Sequence, residues 1–188
     1  MTTESDIENR IELFLSRVRD AGLSLVSRAD RARLRERHLN PSLECLEFIP
    51  EQGRLLDIGS GGGFPGVPIA IHRPELQVTL VESNTRKASF LRRVSRETTL
   101  NNVEVLHLRV EELGETHENQ YDIVTARAVT GIPEIIRWTP RFLKPTGHWL
   151  LWRERDWRDH VDLQALGVNL THERALSDGS VLIQLERL

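Results

Sequence analysis

Ten consecutive residues hold much of the chemistry this sequence can perform: Asp57-Ile58-Gly59-Ser60-Gly61-Gly62-Gly63-Phe64-Pro65-Gly66. The run leaves the apolar pair Leu55 and Leu56 and leads into Val67, Ile69 and Ile71, so it reads as a strand-to-helix turn. Glycine lets the backbone turn tightly and lets a ligand reach main-chain amides that a side chain would cover. Two ligands compete for such a turn. Gly61, Gly63 and Gly66 satisfy the dinucleotide pattern, but Asp57 would then face an anionic pyrophosphate, at a cost of roughly 1 kcal/mol or more. A cofactor carrying a sulfonium and an ammonium group meets no such conflict, and Asp57 favours it. Glu82 ends the next apolar run, Val78 to Val81. It stands about 20 residues or slightly more beyond the turn, where a carboxylate can hold a ribose hydroxyl pair. Its alternative is an ordinary cap for a helix starting near Asn84.

Two further groups fall on the same edge. Arg109-Val110-Glu111-Glu112 follows the third apolar run and is placed to frame a flat ring. Ala126-Arg127-Ala128 follows the fourth, which makes Arg127 a positioning candidate or a plain surface ion-pair partner. Cys45 has no partner at metal-ligand spacing and His38 has no visible partner, so both read as structural, and no metal site is expected.

These groups need a frame that brings strand ends together. Leu55–Ile58, Val78–Val81, Val103–Leu108, Tyr121–Thr125 and Trp149–Trp152 alternate with segments expected to be helical over 66–72, 84–99, 131–143 and 154–166. That alternation predicts a mostly parallel sheet with right-handed crossovers and helices on both faces. From Val168 to Leu188 two more runs flank Ser177, Asp178 and Gly179, a turn signal that makes them an antiparallel pair. Seven strands with a reversed carboxyl-terminal strand make an α/β, Rossmann-like class I methyltransferase layout. Residues 1–50 read as a helical amino-terminal extension. Ser5 and Glu8 suggest a capping box, Ile7, Ile11, Phe14, Leu15 and Val18 keep helical spacing, Gly22 offers a stop, and a second helix after Ser27 is interrupted by Pro41. The expected organisation is one domain over 1–188, with its Rossmann-like core over 51–188.

The composition bounds the partners. With 39% hydrophobic and 28% charged residues, and no apolar run near the ~20 residues a bilayer requires, membrane insertion is not expected. The polar opening Thr2-Thr3-Glu4-Ser5-Asp6 lacks the pattern of an export signal, so a cytoplasmic protein is expected. Net charge is −3, so nucleic-acid contact would need a local patch. Arg28, Arg31, Arg33, Arg35 and Arg37 form one candidate, and Arg86, Lys87, Arg92, Arg93 and Arg96 another; solvated helix faces explain either equally well.

The run Leu56 to Pro68, then Val81-Glu82-Ser83 with Arg86-Lys87 and Phe90-Leu91, then Arg109-Val110-Glu111-Glu112, then Arg127-Ala128, resembles the ribosomal RNA small-subunit methyltransferase G family, also called glucose-inhibited division protein B. The resemblance covers about residues 36–152, and its glycine-phenylalanine-proline-glycine ending is more specific than a generic glycine loop. It implies S-adenosylmethionine as cofactor, 7-methylguanosine in small-subunit ribosomal RNA as product, and the RNA or the ribosomal particle as partner of a monomeric protein. The family's cofactor contacts, carried to this chain, fall on Gly59, Phe64, Val110, Glu111 and Arg127, with Glu82 taking the ribose; Asp57 and Gly61 complete the expected set. No catalytic base is implied, because the guanine nitrogen that is methylated already has a free lone pair, and alignment suffices. Three other functions remain open: an NAD-dependent oxidoreductase, a cofactor-binding ribosome assembly factor without catalysis, and a small-molecule methyltransferase.

Overall fold

The computed structural model describes residues 3–188, apart from the side chain of His160. Helix α1 spans Glu4–Asp20 and buries Ile11, Phe14, Leu15 and Val18 along one stripe. Its cap lies two residues ahead of the expected Ser5–Glu8 box. The Asp6 amide donates to Thr3 Oγ1 at 3.2 Å and the Thr3 amide donates to Asp6 Oδ2 at 3.1 Å. Ser5 and Glu8 therefore lie inside the helix, and Glu8 pairs with Arg35 instead. The next segment is a broken helix: a 3-10 turn at Asp30–Arg33, a π turn at Arg35–Leu39, and α2 at Asn40–Leu43 with Pro41 in its first turn. Pro41 does not stop this run, which passes through it to Leu43; it has no N–H to donate, and the wider π turn just before it accommodates that loss.

The core follows the predicted alternation. β1 (Gln52–Ile58), α3 (Gly66–His72), β2 (Glu75–Val81), α4 (Thr85–Glu97), β3 (Val103–Leu106), β4 (Tyr121–Arg127), α5 (Ile132–Trp138) and β5 (Leu143–Arg153) lead to β6 (Val168–Ala175) and β7 (Val181–Arg187). The seven strands lie in the order β3-β2-β1-β4-β5-β7-β6, with β7 antiparallel to both of its neighbours and the other paired strands parallel. Alternate side chains serve two apolar layers. Leu55, Val78, Leu80 and Ile123 face α1, α3 and α4, whereas Leu56, Ile58, Val81 and Val124 face α5 and the irregular connections.

Two expected helices are corrected. The segment 131–143 is helical only to Trp138, because Pro140 cannot continue it and β5 begins at Leu143. The segment 154–166 holds a single 3-10 turn, Trp157–His160. Its apolar residues Trp157, Val161, Leu163 and Leu166 do not fall on one helical face, so a regular helix there could not bury them together.

Strand order reverses between β1 and β4: from β1 the chain goes outward to β2 and β3, then returns to the other side of β1. In open sheets of this kind, ligands bind beyond the carboxyl ends of the strands at that reversal. The glycine turn after β1 stands there.

Candidate active site

The turn after β1 is held from below. The Ser60 amide donates to Val81 O at 3.1 Å and the Gly63 amide donates to Ser60 O at 2.7 Å, which curls Gly59–Gly63 over the end of β2. Gly59 has φ +63°, and a Cβ there would stand 2.6 Å from Val129 Cγ2. Gly66 packs so closely that a Cβ would meet Asp57 Oδ2 at 2.8 Å and Leu80 Cδ2 at 2.4 Å. These two positions have no room for a side chain.

Asp57 does not stand where the sequence reading set it. It is 1% exposed and lies beneath the turn, not beside a ligand. The cause is its place on β1, on the layer that faces α3, opposite Thr125 in the parallel register with β4. The Thr125 hydroxyl donates to Asp57 Oδ1 at 2.7 Å, while among the described residues Oδ2 has no hydrogen-bond donor. Burial pushes the Asp57 carboxyl up to about 7, against the pull of the Thr125 hydroxyl, and the Glu82 carboxylate adds to the rise.

Glu82 is the acidic group that reaches the turn. The Gly61 amide donates to its Oε2 at 2.9 Å, and the Asn84 amide donates to its Oε1 at 2.7 Å. The helix cap that the sequence left as the alternative role of Glu82 falls to Asn84, whose side chain accepts from the Arg86 and Lys87 amides at the first turn of α4, and Glu82 holds only the amide of that capping residue. The carboxylate thus bridges the glycine turn and the start of α4, with lone pairs left on both oxygens.

Cavities flank this bridge. One of about 170 Å³ is lined by Gly59, Gly61, Phe64, Glu82, Lys87 and Arg127, and its far side by His38 and Leu25. The other, about 290 Å³, is lined by Gly59, Ser83, Arg109, Val110, Glu111 and Trp138. Gly59 belongs to both, and Val129 lies against Gly59. Neither volume alone would comfortably hold a cofactor of nucleoside-plus-amino-acid size, given that small-molecule sites run from about 300 Å³ upward. Seven of the eight expected site residues therefore line two adjoining cavities, and Asp57 lines neither.

Arg127 is engaged elsewhere than expected. Its Nη2 donates to Arg37 O and, at 3.0 Å, to Asp178, and its Nη1 donates to His38 O at 3.1 Å. Burial lowers its pKa, with Asp178 opposing. The side chain ties the end of β4 to the broken amino-terminal helix and to the β6–β7 turn, so it positions those segments and has little left to offer a base or phosphate. Phe64 closes the same wall, with ring centroids 4.9 Å from Phe14 and 5.2 Å from His38. Burial, and next Arg127, lower the pKa of His38. Cys45 is buried, donates to Ser42 O at 3.0 Å, and has its thiol pushed up by burial.

Sequence reasoning missed Val129, Trp138 and Leu25. Val129 is 37% exposed although apolar, on a loop whose preceding Ala128 has φ +54°. That loop carries no glycine before Gly131, so nothing in residue type announced its contact with Gly59.

Sheet order, a reversed β7 and a glycine turn at the β1–β4 reversal define the Rossmann-like methyltransferase fold. Solved structures of similar fold include a methyltransferase from Aquifex aeolicus described as SAM dependent, at TM-score 0.67 and 14% identity over 93% of this chain and 98% of that one. Another is P. horikoshii TYW2 in complex with MeSAdo, at TM-score 0.68 and 14% identity over 88% of this chain and 65% of that one. The chain belongs to the rRNA small subunit methyltransferase G family, whose model matches residues 8–176. Relatives with that name include one from Hydrogenovibrio crunogenus, 42% identical over 66% of this chain, and one from Neisseria gonorrhoeae, 39% identical over 67%. The matched stretch spans 56% and 59% of those relatives' own lengths. Among the described residues no helix is long and apolar enough to cross a membrane, and no group of three His, Cys, Asp or Glu could hold a metal.

Proposed function

We propose that this chain transfers a methyl group from S-adenosylmethionine to the N7 of a guanosine in small-subunit ribosomal RNA. The observation that carries the reading is the Glu82 bridge on the Gly61 amide, between two cavities at the strand-order reversal. A glycine turn in a dinucleotide site offers its amides to pyrophosphate, but here a carboxylate already occupies one of them and would repel that anion. A ribose diol or a cationic amino-acid end suits the Glu82 carboxylate, while Asp57 supports the turn from beneath without lining either cavity. Gly59, Gly61 and Phe64 would take the amino-acid half, Val110 and Glu111 the adenine half, and Arg127 would hold the wall around them.

The bound cofactor would supply an electrophilic methyl group; the guanine N7 lone pair takes it, the electron pair of the broken bond stays on sulfur, and no proton must be removed. What this chain contributes is alignment and exclusion of water, for which positioning can lower a barrier by roughly 7–11 kcal/mol. Of the two basic runs, α4 suits RNA better. Arg33, Arg35 and Arg37 pair with Glu36, with Glu8 and Glu12, and with Asp30, respectively. Arg86, Arg92, Arg93 and Arg96 are exposed and have no acidic partner within 4.0 Å among the described residues. They are available to phosphate, and binding should weaken steeply with salt. Acting as a monomer in the cytoplasm, on RNA or on the assembled particle, completes the proposal.

The test is incubation with methyl-labelled S-adenosylmethionine and small subunits lacking the modification. Label recovered as 7-methylguanosine in the RNA supports the reading. Cofactor binding with no label in RNA favours a non-catalytic assembly factor.

A further inference from the structure

We infer that Val129 is a plug over the methyl donor's seat, and that the loop 128–130 swings outward to admit the donor across Gly59. This rests on the cofactor seat proposed above and names the side chain that controls entry to it.

Among the described residues, Gly59 alone lines both cavities beside the glycine turn. Val129 lines the larger and Ala128 the smaller, so these two residues stand opposite Gly59 at the neck. A Cβ on Gly59 would lie 2.6 Å from Val129 Cγ2, 3.0 Å from Cγ1 and 3.3 Å from Cβ, so the isopropyl group rests flat on the glycine. Carbon atoms in contact lie about 3.5–4.0 Å apart, which leaves no space for a third molecule between the two residues. A donor with its amino-acid half in one cavity and its adenine half in the other must pass over Gly59, so Val129 has to lift. Joined, the cavities pass the lower bound of about 300 Å³ for a small-molecule site, which neither reaches alone.

The loop is built to turn. Ala128, Val129 and Gly131 are exposed, and Val129 belongs to neither apolar layer of the core, so moving it breaks little packing beyond its seat on Gly59. Ala128 holds φ +54°, a left-handed backbone that residues other than glycine adopt at a cost. The seated form is therefore not the one the local backbone prefers. Both ends are anchored: Arg127 by Arg37, His38 and Asp178, and Thr130 by its carbonyl, which accepts from Arg153 Nη1 at 3.0 Å. Ala128 and Val129 are the part left to swing. On the loop's far side Ala128 and Gly131 line a cavity of about 410 Å³, which gives the swing somewhere to go.

A plug and a fixed wall respond to trimming with opposite signs. When a side chain must lift before a ligand enters, the apparent affinity is reduced by the fraction of molecules in which it is lifted, and trimming it raises that fraction. Trimming a fixed wall removes contacts with the ligand and weakens binding. The two also differ in kinetics, because a plug acts on association and a lost wall contact acts on dissociation. Ala128 gives an independent handle: glycine there relieves the cost of the left-handed backbone and so favours the seated form.

The experiment titrates S-adenosylmethionine into wild type, Val129→Ala and Ala128→Gly by calorimetry, and follows association by stopped-flow tryptophan fluorescence, since Trp138 lines the larger cavity. Val129→Ala should bind roughly 3- to 10-fold more tightly, the range for losing part of one apolar side chain's packing on its seat. The gain should lie in the association rate. Ala128→Gly should bind roughly threefold or more weakly, with slower association. Both positions are exposed, so both variants should fold. Unchanged or weaker binding in Val129→Ala, or unchanged or tighter binding in Ala128→Gly, overturns the inference while leaving the cofactor seat standing. No saturable binding of S-adenosylmethionine by wild type overturns the proposed function, and the inference with it.

Discussion

Asp57→Asn should change the pH dependence of stability in a way no surface carboxylate would. Burial raises the group's pKa to about 7 in the folded chain, against 3.8 for a carboxyl open to water. Below pH ~4 both states hold the proton, and Asp57 contributes no slope. Between about 4 and 7 the unfolded chain releases its proton while the folded chain keeps it, so rising pH favours unfolding. Above 7 both are ionised and the penalty is constant. Roughly three pKa units at 1.36 kcal/mol each amount to about 4 kcal/mol lost across that window. The asparagine variant lacks this loss. The lowered pKa values of Asp30, held down first by the Ser27 hydroxyl, and of His38, held down by burial, act in both proteins and cancel in the difference. Urea unfolding at pH 4, 5.5, 7 and 8 should show the variant gaining on wild type by about 4 kcal/mol from the first pH to the last. Parallel curves would refute the burial of a carboxyl beneath the glycine turn as the cause.

Other consequences follow from the same geometry. Gly59→Ala should cost about 1–2 kcal/mol for a side chain at φ +63°, and S-adenosylmethionine affinity should fall at least about tenfold, read by thermal unfolding and by titration. Arg127→Met should cost about 3–5 kcal/mol by stranding the buried Asp178 carboxylate. Asp178→Asn should cost a comparable amount, and the double variant far less than the sum, as measured by denaturant unfolding.

The strands and α3 were legible because their signals are local. Alternation and apolar runs fix β1, β2 and β4, and α3 occupies Gly66–His72 as expected. The segment after β5 was misread because its apolar residues have the right number for a helix but the wrong angular spacing. The site residues were legible as a set, since glycines and carboxylates at strand ends announce themselves by type. Their individual roles were not. Asp57 precedes the first glycine in sequence, yet strand alternation turns it under the turn, and only the register with β4 brings Thr125 to it. Arg127 finds its acceptors at Arg37 and His38, about ninety residues earlier in the chain, which no local pattern encodes. The seating of Val129 on Gly59 is likewise a property of packing alone.

Isothermal titration of S-adenosylmethionine into wild type and Glu82→Ala puts the glycine turn and its carboxylate to the proof. Saturable one-site binding to wild type is predicted, with no heat from NAD. In Glu82→Ala the affinity should drop by more than about tenfold, as expected for hydrogen bonds to a charged group worth roughly 1.5–3 kcal/mol. No saturable binding to wild type, or equal affinity in the two proteins, would contradict a cofactor seated on the Gly59–Gly63 turn against Glu82.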